Sequence, residues 1–509
     1  MHPLAKLDHA HVWHPFTQMR DWLKREPIVI TSGKGAVLRD VHGQEYLDAN
    51  SSIWTNLHGH QHPKINAAIA RQLKRISHSS ALGFANEPAS LLAARLVEAG
   101  NRIFDFRFSI FDSGGKTARK SQIVNCKLEK VFFSDDGSTA MEVALKLAYE
   151  FTRRTRGPRS KPRFLSLDGA YHGDTIGAVS AGHIDLFHQA YAGLLFKTDK
   201  VMSPYCYRCP FNRAKPERAD ARTYRKCQWE CVGLVEKKFA KQKRKGNPYA
   251  AFAFEPLMQG SAGMIAQPSG WLREVTDIAR SHGALLIADE VMTGFGRANS
   301  KFKIQNSKLA LFACQEESVQ PDFLCLAKGL TGGYLPMAAT LTTQNIFDAF
   351  LGEYHEFKTF FHGHSFTGNQ LGAAAALTSL ELLETKASLR ARAVLEKTLR
   401  AELQSLWPLP HVGDIRQVGL VAGIELVKNW RTREPFELRE RAGIRVCEAM
   451  ARRGVLTRPI GNVIVLMPPY CTTQVQLRQM VFALHDSVQD AFRAKENAKP
   501  APNCAGFGV

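Results

Sequence analysis

The chain has 509 residues, 45% hydrophobic and 22% charged, enough apolar material for a large core and more than one domain. No apolar run approaches a membrane span, and the first residues lack the basic head and apolar stretch of a secretory signal. The 67 Lys and Arg against 47 Asp and Glu leave a net charge of +20, which raises a nucleic-acid partner. The excess sits in local blocks such as 208–245, and no Arg/Lys stripe interleaved with aromatics appears elsewhere, which favours a solvated basic insertion over a nucleic-acid surface. Ten cysteines in a chain this long do not suggest a disulfide scaffold and point to a reducing cytoplasm.

In chain order, residues 11–17 (HVWHPFT) form an aromatic arm that includes Phe16. Two alternating runs between Ile28 and Asp48 predict a small hairpin, with turns at Gly33–Gly35 and His42-Gly43. A polar loop carrying Ile53 and Trp54 follows, then a helix from Pro63 with Ile65, Ala68 and Ile69 on one face and a second helix over 87–98. Residues 102–126 read as an insertion. A strand at 130–133 leads into the turn Asp136-Gly137-Ser138-Thr139, which opens a long helix. Free N–H groups and the positive dipole end at such a turn suit a phosphate, although any helix N-cap shares those features. The strand 163–167 is followed by Tyr171, His172 and Asp174. Cys206-x-x-Cys209 and Cys227-x-x-x-Cys231 then lie in a basic insertion at 206–247; zinc is a weak candidate there, and reduced thiols are the blander reading.

A buried strand at 251–255 ends in Glu255-Pro256, and a helix at 271–282 leads to the run Ala284–Ala288, which stops at Asp289-Glu290. The turn 294–297 closes on Arg297, and 301–310 reads as a short insertion. A further run, 323–327, stops at Lys328 before a glycine-rich turn. The alternation over 65–343 predicts an α/β domain, a mostly parallel sheet with helices on both faces. Residues 344–494 alternate helix and strand as a smaller α+β domain, joined by the arm and hairpin of 1–64, and 495–509 read as a disordered tail.

Ligands bind at the carboxyl edge of such a sheet, and two strand ends there present Asp289 and Lys328. A lone strand-end lysine commonly snorkels to water. The alternative is a Schiff-base lysine, its amine neutral through desolvation, with Asp289 holding the ring nitrogen of pyridoxal 5'-phosphate (PLP) protonated.

The wording IADEVMTGFGR followed by CLAKGLTGG resembles the class III, fold-type I PLP-dependent aminotransferases. That resemblance implies that Lys328 carries the cofactor, that Asp289 pairs with its pyridine nitrogen, and that Gly137 and Ser138 take its phosphate. It implies that Tyr171 covers the ring and touches substrate, with Asp174 close by and Arg297 in the substrate-facing set. It further implies a homodimer in which Gly363, His364 and Ser365 reach the partner's phosphate; His364 stands where proline is usual, and Ser365 where threonine is usual. WHPFTQM, SSIWTNLHGHQHP and RPIGNVIVLMPPY are similar to the biotin-synthesis branch of the family. This implies amino transfer to the keto acid 8-amino-7-oxononanoate from S-adenosylmethionine, lysine being the other donor in use. Arg458 would clamp the acceptor's carboxylate, with Phe16, Ile53 and Trp54 along its apolar chain. Ile53 replaces one Trp of a tandem found in some relatives, and Phe16 lacks the hydroxyl that a tyrosine supplies in others. Another class III ω-amino-acid or diamine transaminase is the alternative.

Overall fold

The computed structural model describes residues 1–102, 127–299, 304–305 and 308–493. Apart from Arg102, the expected insertion at 102–126 lies outside the described residues, as does the tail at 495–509. Within the expected insertion at 301–310, Ile304–Gln305 pairs antiparallel with Lys308–Leu309. The chain forms two compact units: 63–211 with 227–389, and 1–62 with 212–226 and 390–509.

The larger unit is built on a seven-stranded sheet. Its strands lie in the order Leu128–Ser134, Ala338–Thr343, Phe323–Leu326, Leu285–Asp289, Ala251–Phe254, Phe164–Leu167, Asp199–Val201. Ala338–Thr343 runs antiparallel to both its neighbours, and the remaining pairs are parallel. Ala251–Phe254 and Phe323–Leu326 are buried along their whole length. Strands covered on both faces show as unbroken apolar runs, which is why they stand out in the sequence. The long helix Gly137–Arg156 buries Met141, Ala144, Leu145 and Ala148 in one core with Ile287, Phe323 and Cys325. Each large apolar side chain so buried stabilises the unit by about 1.5–3 kcal/mol.

The division between the units falls after Leu389 rather than at the expected 343. Helix Gln370–Leu383 causes the shift. It packs against helices Pro63–Arg75 and Glu87–Gly100, and Gly372, Ala373, Ala376 and Leu380 are among its buried residues.

In the smaller unit the expected hairpin is a three-stranded antiparallel meander, Ile30–Lys34, Val37–Asp40 and Glu45–Asp48. A fourth strand, Val455–Leu456, adds in parallel to Glu45–Asp48. A second sheet carries Val412–Val418, Val421–Asn429, Val463–Leu466 and Pro459–Ile460. Within it Arg416 is buried between two acids, 3.0 Å from Asp414 Oδ2 and 2.6 Å from Glu425 Oε2. Burial pushes the Asp414 carboxyl up to about 7, against the opposing pull of Arg416.

The expected basic insertion contains a short excursion, because 212–226 belongs to the smaller unit while the flanking chain belongs to the larger. The backbone closes its base: Arg213 N donates to Lys226 O at 3.0 Å, and Lys226 N donates to Asn212 Oδ1 at 3.0 Å.

Candidate active site

Parallel strands deliver their carboxyl ends to one edge, so the residues just after them converge. Ala288 pairs with Phe254 and Asp289 with Cys325. Glu255, Asp289 and Lys328 are therefore the residues at or just past the ends of three adjacent strands. Burial pushes the Lys328 amine below its ordinary range, although Asp289 and Glu255 both favour its cation. Lys328 also sits in the left-handed backbone region, at φ 43°, a strained conformation for a lysine.

Asp289 is 6% exposed. Its Oδ2 lies 2.8 Å from His172 Nδ1, and its Oδ1 accepts from Val291 N at 3.1 Å. Burial works against protonation of His172, but the bond to Asp289 and its charge outweigh that, and the imidazole is raised above its usual value. Burial pushes Glu255 up to about 7 while His172 opposes it; Glu255 accepts from Gly260 N at 2.8 Å and Tyr171 N at 3.3 Å. The neighbouring acid has a different task. Glu290 faces the opposite way along the chain and anchors the next turn by accepting from Ala313 N and Cys314 N, each at 2.7 Å.

Gly137 and Ser138 open the long helix behind a capping box. Thr139 N donates to Asp136 Oδ1 at 2.8 Å, and Asp136 N donates to Thr139 Oγ1 at 3.0 Å. A Cβ on Gly137 would stand 2.7 Å from Val291 Cγ1, so the helix start and the residue two beyond Asp289 touch only because position 137 has no side chain. Ser138 Oγ accepts from Asp174 N at 3.1 Å, and Tyr171 Oη donates to Asp174 Oδ2 at 2.8 Å. The loop that carries Tyr171 is thus tied to the helix start.

This donor set fits PLP: a helix N-terminus with a hydroxyl for the phosphate, a buried carboxylate for the ring nitrogen, and a lysine with a depressed pKa. Sequence reasoning placed Tyr171, Asp174, Gly137, Ser138, Asp289 and Lys328, and the structure brings them together. It expected His172 to face the same site but gave it no partner, and it gave Glu255 and Val291 no role. Their position directly after strand ends was the signal available.

Four other residues are placed less fully. Arg297 is 1% exposed, and its backbone N donates to Gly294 O at 3.3 Å. His364 Nδ1 lies 3.3 Å from Asp135 Oδ2, beside the helix start of its own chain. Ser365 O accepts from His78 Nε2 at 2.7 Å, and Gly363 has open space around it to 4.0 Å.

Phe16, Ile53, Trp54 and Arg458 belong to the smaller unit. The Arg458 guanidinium stands over the Phe16 ring, 5.9 Å from its centroid, within cation–π range. Arg458 follows the Val455–Leu456 strand and Ile53 follows Glu45–Asp48, its parallel neighbour, so both leave the sheet at the same edge. The loop expected at Ile53-Trp54 is a left-handed helical turn. Ser51, Ser52, Ile53 and Trp54 have φ of 48°, 47°, 63° and 67°, a conformation that costs L-residues about 1–2 kcal/mol each. Trp54 N donates to Asn50 O at 2.9 Å and Thr55 N to Ser51 O at 2.9 Å.

Cys206 and Cys231 are buried, and Cys209 and Cys227 are half-buried. The four flank the base of the 212–226 excursion. Burial pushes the Cys231 thiol up to about 11, with Cys209 and Cys227 near enough to add to the rise. Among the described residues no group of three or more His, Cys, Asp or Glu is arranged to hold a metal ion.

The class III aminotransferase family model matches residues 19–488. The adenosylmethionine-8-amino-7-oxononanoate aminotransferase of Nitratidesulfovibrio vulgaris is 45% identical over 95% of this chain and 81% of its own length. The enzyme of the same name from Geobacter sulfurreducens is 45% identical over 95% of this chain and 97% of its own. The crystal structure of the Methanocaldococcus jannaschii enzyme of that name superposes with a TM-score of 0.82 at 38% identity, covering 96% of this chain and 99% of that one. An amine transaminase from an uncultivated Pseudomonas species, in its PLP-bound form, gives 0.78 at 31% identity, covering 94% and 98%. With the strand-end lysine and aspartate, the phosphate-ready helix start and a family match spanning most of its length, the chain belongs to the class III aminotransferases.

Proposed function

We propose that this protein transfers an amino group from S-adenosylmethionine to 8-amino-7-oxononanoate, giving 7,8-diaminononanoate for biotin synthesis, with PLP as cofactor and ping-pong kinetics. The observation that carries the reading is the combination of the Lys328–Asp289–His172 geometry with 45% identity to relatives bearing that enzyme's name. PLP supplies the electron sink that allows a carbon–hydrogen bond beside the amino group to break.

The chain's residues do the rest. Burial lowers the pKa of Lys328, which favours the neutral amine that takes the proton from the donor's α-carbon and, in the second half, returns one to the acceptor. Asp289 keeps the ring nitrogen protonated, and His172 holds Asp289 in line and supports its charge. Gly137 and Ser138 bind the phosphate. Tyr171, fixed by Asp174, flanks the ring. Arg458 binds the acceptor's carboxylate, with Phe16, Ile53 and Trp54 along its aliphatic chain and Arg297 supporting the substrate wall. The protein works in the cytoplasm as a homodimer in which Gly363, His364 and Ser365 face the partner's phosphate. Exposed Tyr354, Phe357, Phe361 and Phe366, at 96%, 68%, 69% and 59%, support that contact, since so much apolar surface in one stretch marks an interface.

The test is the visible absorbance of the PLP-loaded protein. S-adenosylmethionine should abolish the cofactor band and the keto acid should restore it. A band that answers to lysine but not to S-adenosylmethionine would overturn the donor. A band that answers to 4-aminobutyrate, with pyruvate as acceptor, would favour an ω-amino-acid transaminase. Dilution to monomer should release PLP; a monomer that holds it tightly would refute the shared site.

A further inference from the structure

Backbone strain in the smaller unit is concentrated where the acceptor's chain is expected. Ser51, Ser52, Ile53 and Trp54 are four consecutive residues with positive φ, none of them glycine, and Phe16, under Arg458, has φ 48° as well. A β-branched residue such as Ile53 is especially disfavoured there. The turn persists because its surroundings over-determine it. Ser51 Oγ donates to Met467 O at 2.6 Å, and Trp54 Nε1 donates to Asn50 Oδ1 at 2.9 Å.

The central holder is Asp48, 2% exposed at the end of its strand. Its Oδ1 accepts from Ser52 N at 3.0 Å and Asn50 N at 3.4 Å. Its Oδ2 accepts from Ser52 Oγ at 2.9 Å and lies 3.1 Å from His60 Nε2. Four contacts from one buried carboxylate fix a single turn. The result is that Trp54 turns inward, at 8% exposed, while Ile53 is left 43% exposed. It is an apolar side chain that the core does not use, on a rigid support, at the same sheet edge as Arg458.

From this we propose that Asp48, acting through Ser52, is the positioning residue that holds the left-handed turn Ser51–Trp54 rigid and so sets how the acceptor's aliphatic chain fits. The inference rests on the acceptor reading above, and deepens it by naming what sets the acceptor's fit. A turn held rigid before binding leaves less freedom to lose when the flexible chain settles on it.

Two substitutions at Ser52, whose hydroxyl donates to Asp48 Oδ2, separate recognition from folding. Ser52→Ala removes the hydroxyl bond to Asp48 but keeps the left-handed strain, so its Tm should fall by about 2–4 °C. Ser52→Gly removes the same bond but relieves the strain, so its Tm should stand above that of Ser52→Ala, at or above wild type. KM for 8-amino-7-oxononanoate should rise roughly tenfold in both, with the rate of the donor half-reaction unchanged. A stable Ser52→Gly protein with a raised KM is the outcome that a purely structural turn would not give. KM within about twofold of wild type in both variants would overturn the proposal, as would an equal loss in the donor half-reaction. If the wild type refuses this keto acid, the acceptor reading falls, and the same comparison is made with the keto acceptor it does use, where an unchanged KM overturns the turn's role as well.

Discussion

Gly137→Ala is a one-carbon test of the proposed phosphate site. Gly137 does not have a positive φ, so the backbone accepts alanine and the whole effect is steric. The new Cβ would meet Val291 Cγ1 at 2.7 Å, Cγ2 at 3.1 Å and Cβ at 3.4 Å. Ordinary contact begins near 3.4 Å, so one partner must retreat by about 0.7 Å. Val291 cannot rotate freely away, because it is β-branched and its backbone N–H is bonded to Asp289 Oδ1. The helix start must therefore lift, carrying Ser138 and the free N–H groups away from the phosphate, or Val291 must press on Asp289. Overpacking of this kind costs about 1–3 kcal/mol, which converts to about 5- to 150-fold in affinity. The assay is the dissociation constant of PLP, from the quenching of protein fluorescence as cofactor is added back to stripped protein. Gly233→Ala, in a helix and with nothing within 4 Å of the new Cβ, is the control. PLP affinity equal to wild type in Gly137→Ala would refute the close approach as the reason for glycine here.

Three further outcomes follow from the same structure. The folded pKa of His172 is raised above its ordinary 6.5, so its pairing with Asp289 stabilises fully below that value and is lost as pH climbs through the raised one. The Tm gap between wild type and His172→Asn, without cofactor, should shrink above about pH 6.5, and a constant gap from about pH 5 to about pH 9 would count against the pairing. Arg416→Ala leaves Asp414 and Glu425 buried without their shared cation and should cost about 3–5 kcal/mol in denaturant unfolding. Arg75→Ala, which breaks an exposed pair with Glu87, should cost at most about 1 kcal/mol; similar losses in the two would contradict the buried triad. Arg458→Ala should raise KM for the keto acid and leave the donor half-reaction intact, and an equal loss in both halves would remove its carboxylate role.

The cofactor edge was legible in the sequence because buried parallel strands appear as apolar runs that stop at a polar residue. Asp289, Lys328 and the Asp136–Thr139 helix start are all of that kind. His172 was visible as a residue after a strand end, but its partner stands 117 positions further on, and the strand order that joins them is a property of the sheet. The left-handed turn was hidden for another reason: positive φ is ordinarily announced by glycine, and Ser51–Trp54 has none. A strand ending before Arg458 was legible, but its parallel pairing with Glu45–Asp48 was not, because two residues about 400 positions away carry no sign of their partner. The unit boundary was misplaced because helix Gln370–Leu383 looks alike whichever core it joins; its contacts with Pro63–Arg75 and Glu87–Gly100 decide the matter.

The parallel pairing of Glu45–Asp48 with Val455–Leu456 has a consequence for synthesis on the ribosome. The strand that leads into the left-handed turn emerges early, yet its partner follows about 400 residues later. At roughly 5–20 residues per second that is a delay of about 20–80 s. The larger unit has all its chain once Leu389 is out, whereas the smaller one stays open on its Asp48 side until the nascent chain has passed Leu456. A chain that stalls between those points would carry a finished sheet at its centre and an unmated strand near its amino end, the species most in need of a chaperone.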